Sequence, residues 1–158
     1  MKVGVVSDTH IPRVAPSLPH QLLDVLSDCQ MIIHAGDLTS PAVLDELEAI
    51  APVAAVKGNM DGPELDLPIK RVVNAGGFAI GVIHGWGPPF GLPKRVLKEF
   101  DNVQVVIFGH SHQPYCRSHG EVLLFNPGTP TDSRFSRRLT YGILKIEEHI
   151  EGTIREFI

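Results

Sequence analysis

The sequence predicts an α/β fold in which two mixed β-sheets pack face to face with helices outside. Three observations predict it. Short apolar, β-branched runs recur, and they end in Gly, Asp, Asn or His, as at Lys2–Ser7, Gln30–Ala35, Pro52–Lys57, Phe78–His84 and Val103–Phe108. Up to Gly62 the runs alternate with helical periodicity in the order β-α-β-α-β, which implies parallel strands with right-handed crossovers. Beyond it, hairpin signals replace helices, so antiparallel strands join the parallel ones. A three-layer α/β sandwich with a single sheet satisfies the same pattern and stays open on these grounds.

The elements follow in order. Lys2 to Ser7 is a strand, with Asp8-Thr9-His10 at its C-terminal end. Ser17 reads as the cap of a helix with Leu18, Leu22, Val25 and Leu26 at helical spacing. Gln30 to Ala35 is the second strand, ended by Gly36-Asp37. Ser40-Pro41 starts a helix, Ser as N-cap and Pro in the first turn, with Val43, Leu44, Leu47 and Ile50 on one face. Pro52 to Lys57 is the third strand, followed by Gly58-Asn59-Met60-Asp61-Gly62. Ile69–Asn74 and Phe78–His84 flank Ala75-Gly76-Gly77 as a hairpin. Pro93 opens a helix with Val96, Leu97 and Phe100 inward. Val103 to Phe108 is a buried strand, and Gly109-His110-Ser111-His112 follows it. Tyr115–Ser118 pairs with Val122–Phe125, Asn126-Pro127-Gly128-Thr129-Pro130 is a turn, and Leu139–Ile146 pairs with Ile150–Phe157.

Composition narrows the function classes. At 158 residues, 43% hydrophobic and 20% charged, the chain reads as one globular domain spanning 1–158. A net charge of −4 carries no footprint of a general nucleic-acid binder, although a cation cluster inside one cleft would not show in that sum. Cys29 and Cys116 form no C-x-x-C pair, so a reducing compartment, the cytoplasm, is expected. Neither a signal peptide nor a membrane-spanning run is read from the sequence.

The strand ends carry the chemistry. They offer Asp8, His10, Asp37, Asn59, His84, His110 and His112. In parallel sheets, ligand sites lie beyond the carboxyl ends of the strands. Mixed nitrogen and oxygen donors of this number exceed one tetrahedral ion and suit two adjacent divalent ions. Such ions hold the attacking and leaving oxygens of a phosphoryl transfer and acidify water. Asp8 and His10, two residues apart, are expected to share one side of an extended segment, and His110 and His112 to repeat that geometry. Taken singly, each residue has a plainer explanation: Asp8 and Asp37 as turn residues, Asn59 in a left-handed turn, His84 as a satisfied core histidine. Five separate strand ends bearing ligand types defeat that explanation for the set.

Asp8-x-His10, Gly36-Asp37, Gly58-Asn59, His84-Gly85 and Gly109-His110-x-His112, in this order, resemble the calcineurin-like metallophosphoesterase signature. The likeness runs from Val3 to Thr129. Gly-Asn-Met-Asp and Asn126-Pro127-Gly128-Thr129 are similar to the small prokaryotic phosphodiesterase branch. The resemblance implies a four-layer α-β-β-α sandwich, which decides between the two architectures. It also implies two divalent ions per chain, Mn²⁺ foremost, with Ni²⁺, Fe²⁺, Zn²⁺ and Co²⁺ compatible. Asp8, His10 and His112 would hold one ion, Asn59, His84 and His110 the other, and Asp37 would bridge. A bridging hydroxide would attack a phosphoester in line, making the chain a phosphodiesterase.

One position departs from the pattern. Many members carry His after the Asn, thought to protonate the leaving group; here it is Met60, which donates no proton. Asp61 keeps the acidic place and is the candidate for a catalytic side chain. Asn59 and Arg13 are candidates for binding a small phosphoester, a nucleotide among them. Trp86 and Phe90 either wall the cleft or pack the loop after His84, packing being the plainer reading. His34 lies inside a strand and suits a buried hydrogen-bonding role; His20, His119 and His149 receive none. Arg137 and Arg138 read as solvated surface. A homodimer is the oligomer to expect if the chain self-associates. The rival reading is a partner-binding scaffold, the use to which a retromer subunit puts this fold. A nuclease of long nucleic acids is disfavoured by the charge.

Overall fold

The computed structural model describes residues 1–157. Its elements run β1 (Lys2–Val6), α1 (His20–Leu26), β2 (Met31–His34), α2 (Pro41–Glu48), β3 (Val53–Ala55), β4 (Lys70–Ala75), β5 (Phe78–Ile83), α3 (Leu92–Leu97), β6 (Val105–Ile107), β7 (Tyr115–His119), β8 (Val122–Asn126), β9 (Thr140–Ile146) and β10 (Ile150–Glu156). The strands form two five-stranded sheets, β10-β9-β1-β2-β3 and β4-β5-β6-β8-β7. Both are mixed. β1, β2 and β3 are parallel, with β9 antiparallel to β1. β5, β6 and β8 are parallel, with β4 and β7 as antiparallel edges. The single-sheet alternative is thereby excluded.

Side-chain alternation explains the layers. In β1, Val3 and Val5 face the second sheet, while Gly4 and Val6 face the helices. Ile33 and Ile32 of β2 divide the same way. The inward residues meet Ile80, Val82, Val105, Ile107 and Phe125 from the other sheet in one apolar core. α1 and α2 cover the outer face of the first sheet through Leu22, Leu26, Val43 and Leu47. α3 covers the second through Leu92 and Val96, against Val106 and Phe108. Four layers result, α-β-β-α.

The helix boundaries differ from expectation at two places. α1 begins at His20 behind Pro19, which offers no side-chain cap, so Ser17 is not the N-cap. Leu18 is nevertheless buried beneath the helix. α3 begins at Leu92, one residue before Pro93, after Gly91 turns left-handed at φ 76°. Ser40 caps α2 as expected, accepting from the Ala42 N–H. The β4–β5 turn is Gly76-Gly77, both at positive φ, as a tight hairpin of matching twist requires. Both cysteines are free, Cys29 buried and Cys116 exposed. No helix among the described residues is long and apolar enough to cross a membrane.

Candidate metal centre

The parallel strands of both sheets end at one edge, and there the loops meet. Asp8 and His10 follow β1, Asp37 follows β2, Asn59 follows β3, His84 follows β5, and His110 and His112 follow β6. Backbone bonds fasten the loops together: Asp8 N–H donates to the Gly36 carbonyl at 3.0 Å, His10 N–H to the Asp37 carbonyl at 3.1 Å, and Gly109 N–H to the His84 carbonyl at 3.0 Å. Glycines precede the ligands because the loops touch. A Cβ on Gly58 would strike the Asp37 carboxylate and amide, and one on Gly109 would strike the Ser7 hydroxyl and the Asp8 carboxylate.

The expectation that Asp8 and His10 share an extended segment is not met. Asp8 (φ 56°), His10 (46°), Asp37 (58°), His110 (70°) and His112 (59°) are all left-handed. Such backbone costs non-glycine residues about 1–2 kcal/mol each. The side chains converge through turned backbone rather than strand alternation.

All seven predicted residues are brought together. His10 Nε2 lies 3.3 Å from His112 Nε2, and His112 Nε2 lies 3.3 Å from Asp8 Oδ1. His84 Nε2 lies 3.2 Å from Asp37 Oδ2 and 3.1 Å from Asn59 Oδ1. Asn59 Oδ1 lies 3.2 Å from His110 Nδ1. Asp37 Oδ2 is also 3.6 Å from His10 Nε2, so it touches an imidazole from each half of the cluster. Asp8, His10, Asp37, His84 and His112 are buried, whereas Asn59 is exposed and His110 half-buried at the mouth.

A buried brace surrounds these atoms. Asp8 Oδ2 accepts from the Ser7 hydroxyl at 2.6 Å and from the His110 N–H at 3.1 Å. Its other oxygen, Oδ1, is buried without a hydrogen-bond partner. His84 Nδ1–H donates to the Ala35 carbonyl at 2.7 Å, which turns Nε2 into the centre. His34 meets the expectation made for it: its Nδ1 accepts from the Gly36 N–H at 3.1 Å and its Nε2 meets Thr9 Oγ1 at 3.2 Å. Burial pushes its pKa down to about 3, so it is a neutral strut.

Opposite charges in the centre hold one another. Burial opposes ionisation of Asp8, yet the His84 charge and the adjacent His10 and His112 imidazoles outweigh it and hold the carboxyl far below its usual range. Asp37 is likewise pulled down, against its burial, by His84 and the Met60 N–H. Burial would lower His84, but Asp8 and Asp37 raise it to about 9. Two buried carboxylates and an orphaned carboxylate oxygen fit divalent ions, which supply more positive charge than one imidazolium. His84, with its far nitrogen tied to a carbonyl, is presented as a metal ligand is.

Asp61 does not face the centre as an acid. Its Oδ2 accepts from the Asp37 and Gly58 N–H groups at 2.9 and 2.8 Å, and its Oδ1 from the Thr39 N–H at 2.7 Å. It is a positioning residue that ties the loop after β2 to the loop after β3. Arg13 lines a cleft of about 470 Å³ over the centre, with Met60 and Arg134. Phe90 is 94% exposed and packs nothing; Trp86 is 46% exposed beside the centre.

Sequence reading missed four residues. Asn126 donates to the Gly109 carbonyl, and the Thr129 hydroxyl donates to the Asp8 carbonyl at 2.8 Å, so the turn after β8 buttresses both sheets. The Asn-Pro-Gly-Thr block was the available signal. Asp132, buried, places Oδ2 3.5 Å from His112 Nδ1 and forms a two-pronged pair with Arg134, Nη2 to Oδ2 at 2.6 Å. Burial raises the Asp132 pKa, but the Arg134 bonds and the His112 charge lower it on balance. Nothing in its spacing from His112 signals that contact.

The comparisons agree with this geometry. A probable metallophosphoesterase of Methanothermobacter thermautotrophicus is 43% identical over 139 residues, covering 86% of this chain and 81% of that one. A single mutant of Vps29 from Entamoeba histolytica superposes with a TM-score of 0.78 at 25% identity over 100% of both chains. A structure described as a novel archaeal phosphodiesterase has a TM-score of 0.77 at 24% identity, over 98% of this chain and 100% of that one, which bears on the fold alone. Residues 1–149 match the calcineurin-like phosphoesterase superfamily domain. By that match and by its likeness to the archaeal relative, the chain belongs to the calcineurin-like phosphoesterase superfamily.

Proposed function

We propose that this chain is a phosphodiesterase working with two divalent ions, Mn²⁺ the first to test. One observation carries the reading. Two buried ligand groups, Asp8-His10-His112 and Asp8-Asp37-His84, each bring their donor atoms within 4.8 Å of one another and share Asp8. Asp8, His10 and His112 would hold one ion and Asn59, His84 and His110 the other. The placement of Asp37 Oδ2 between His10 and His84 suits a bridge. When bound, the ions supply an acidified water and neutralise charge on the phosphoryl oxygens.

The chain's own residues do the rest. Ser7 and the His110 amide fix the Asp8 carboxylate, and Ala35 fixes the ring of His84. Asp61 holds Asp37 to the Asn59 loop. Arg13 and Arg134 line the cleft where an anionic small-molecule ester would enter. Met60, 41% exposed on the same cleft, offers no proton, so esters with good leaving groups are favoured.

The test is hydrolysis of bis-p-nitrophenyl phosphate and p-nitrophenyl phosphate by metal-stripped protein with Mn²⁺, Ni²⁺, Zn²⁺ or Mg²⁺ restored. Diester turnover that exceeds monoester turnover and requires metal supports the reading. An equal kcat for nitrophenyl and alkyl diesters overturns the leaving-group preference. The likeness to Vps29 favours a second reading, a partner-binding scaffold. Two ions bound with no turnover of any ester would transfer the function to it.

A further inference from the structure

A second depression adjoins the centre. It has a volume of about 390 Å³ and shares Asn59 and His84 with the centre. Ile83 floors it, and Ile69 and Trp86, 66% and 46% exposed, line it. Exposed large apolar side chains scattered singly are ordinary, but two lining one groove beside a polar centre form a surface for an apolar guest.

The groove is not purely apolar. Lys57, half-buried, lines it two residues before Asn59. Among the described residues its ammonium makes no ion pair or hydrogen bond. The other lysine of the groove, Lys70, is spent on Glu99 at 3.0 Å, which leaves that pair neutral. The one uncompensated charge of the groove is therefore positive and close in sequence to a candidate ligand. A guest that fits carries a flat apolar group joined to an anion.

We propose that this groove is a subsite for the aromatic arm of a phosphodiester, seated on Trp86 and Ile69, with Lys57 attracting the phosphate. This rests on the phosphodiesterase reading. It assigns the substrate class as an aryl or nucleobase-bearing phosphodiester rather than a dialkyl one. Stacking of a flat ring on one aromatic side chain is worth about 1–3 kcal/mol, or roughly 5- to 150-fold in affinity.

Trp86 is the sole tryptophan of the chain, so its emission reports on the groove directly. Phenylphosphonate and methylphosphonate, titrated into the Mn²⁺-loaded full chain, are the probes. Phenylphosphonate is expected to change Trp86 emission saturably and to bind about tenfold more tightly than methylphosphonate. Lys57→Met should weaken both probes. Trp86→Ala should raise KM for bis-p-nitrophenyl phosphate about tenfold with kcat little changed, whereas Phe90→Ala should change neither. Equal binding of the two probes with unchanged emission overturns the subsite, whatever the turnover. A phenyl preference without turnover upholds the subsite and removes the catalytic reading instead.

Discussion

The space between the sheets and the rim where the parallel strands end obey opposite rules. Between the sheets, Val3, Val5, Ile33, Ile80, Val105 and Phe125 sit wholly buried with no polar side chain among them. At the rim, Asp8, Asp37, His10, His84 and His112 are buried too, all but His84 on left-handed backbone, with carboxylate and imidazole pressed together. The first region stores the stability of the fold, and the second is held in place by it. Charge and strain of this kind persist only where surrounding structure over-determines them. Residues of the rim should therefore be replaceable without unfolding the chain, and residues of the core without altering its chemistry.

The sharpest break of that contrast compares Asp37→Ala with Phe125→Ala. Asp37→Ala should abolish metal-dependent diester turnover and leave the melting temperature of the metal-free chain within a few degrees. Phe125→Ala should cost about 3–5 kcal/mol, lowering Tm by about 6–20 °C, with turnover per folded molecule retained. Activity and calorimetry on both variants decide it, and a rim variant that unfolds would refute the division.

Metal should stabilise the rim specifically. At a hundredfold excess over Kd, one bound ion adds about 2.7 kcal/mol, so Tm should rise by about 5–10 °C. Chelator should reverse the shift in a thermal melt, and Asp37→Ala should blunt it. Asp132→Asn comes next. Removing the carboxylate charge beside His112 Nδ1 should weaken metal binding about 10- to 100-fold in a chelator competition while Tm of the metal-free chain moves little.

The smallest effect per step is that of pH. His84 is raised to about 9, so its proton and a metal ion compete for Nε2. Apparent metal affinity should rise about tenfold per pH unit below 9 and level off above it. The metal-free chain should do the reverse. A group raised from 6.5 to about 9 contributes stability that is complete below 6.5 and is lost as pH rises through 9. Opposite slopes for metal affinity and metal-free stability between pH 6.5 and 9 are the signature. Parallel slopes would place the controlling proton elsewhere.

The core was more legible in the sequence than the rim. The apolar run Lys2–Ser7 and the Ala75-Gly76-Gly77 turn are local signals, and β1 and the β4–β5 hairpin form there. The seven rim residues were recognisable by type because each stands at a strand end. Their conformation was not, because left-handed φ at Asp8 or His112 is imposed by loops far away in sequence. Asp61 shows the same limit: its type and place suggested acid chemistry, whereas three backbone amides claim its oxygens. Asp132 and Thr129 escaped because contacts with His112 and Asp8 join residues 20 and 121 positions apart. Ser17 was a plausible cap that the entering chain bypassed in favour of Pro19.

The place of β1 has a consequence for synthesis. This strand, which delivers Asp8 and His10, lies between β2 and β9, and the Met1 amine before it donates to the Ile146 carbonyl. One of its two partners is therefore translated long after it. Until residues 140–146 leave the ribosome, β1 is an open edge, and the Thr129 hydroxyl that steadies Asp8 has only just emerged. A nascent chain must shelter that edge until β9 arrives to cover it.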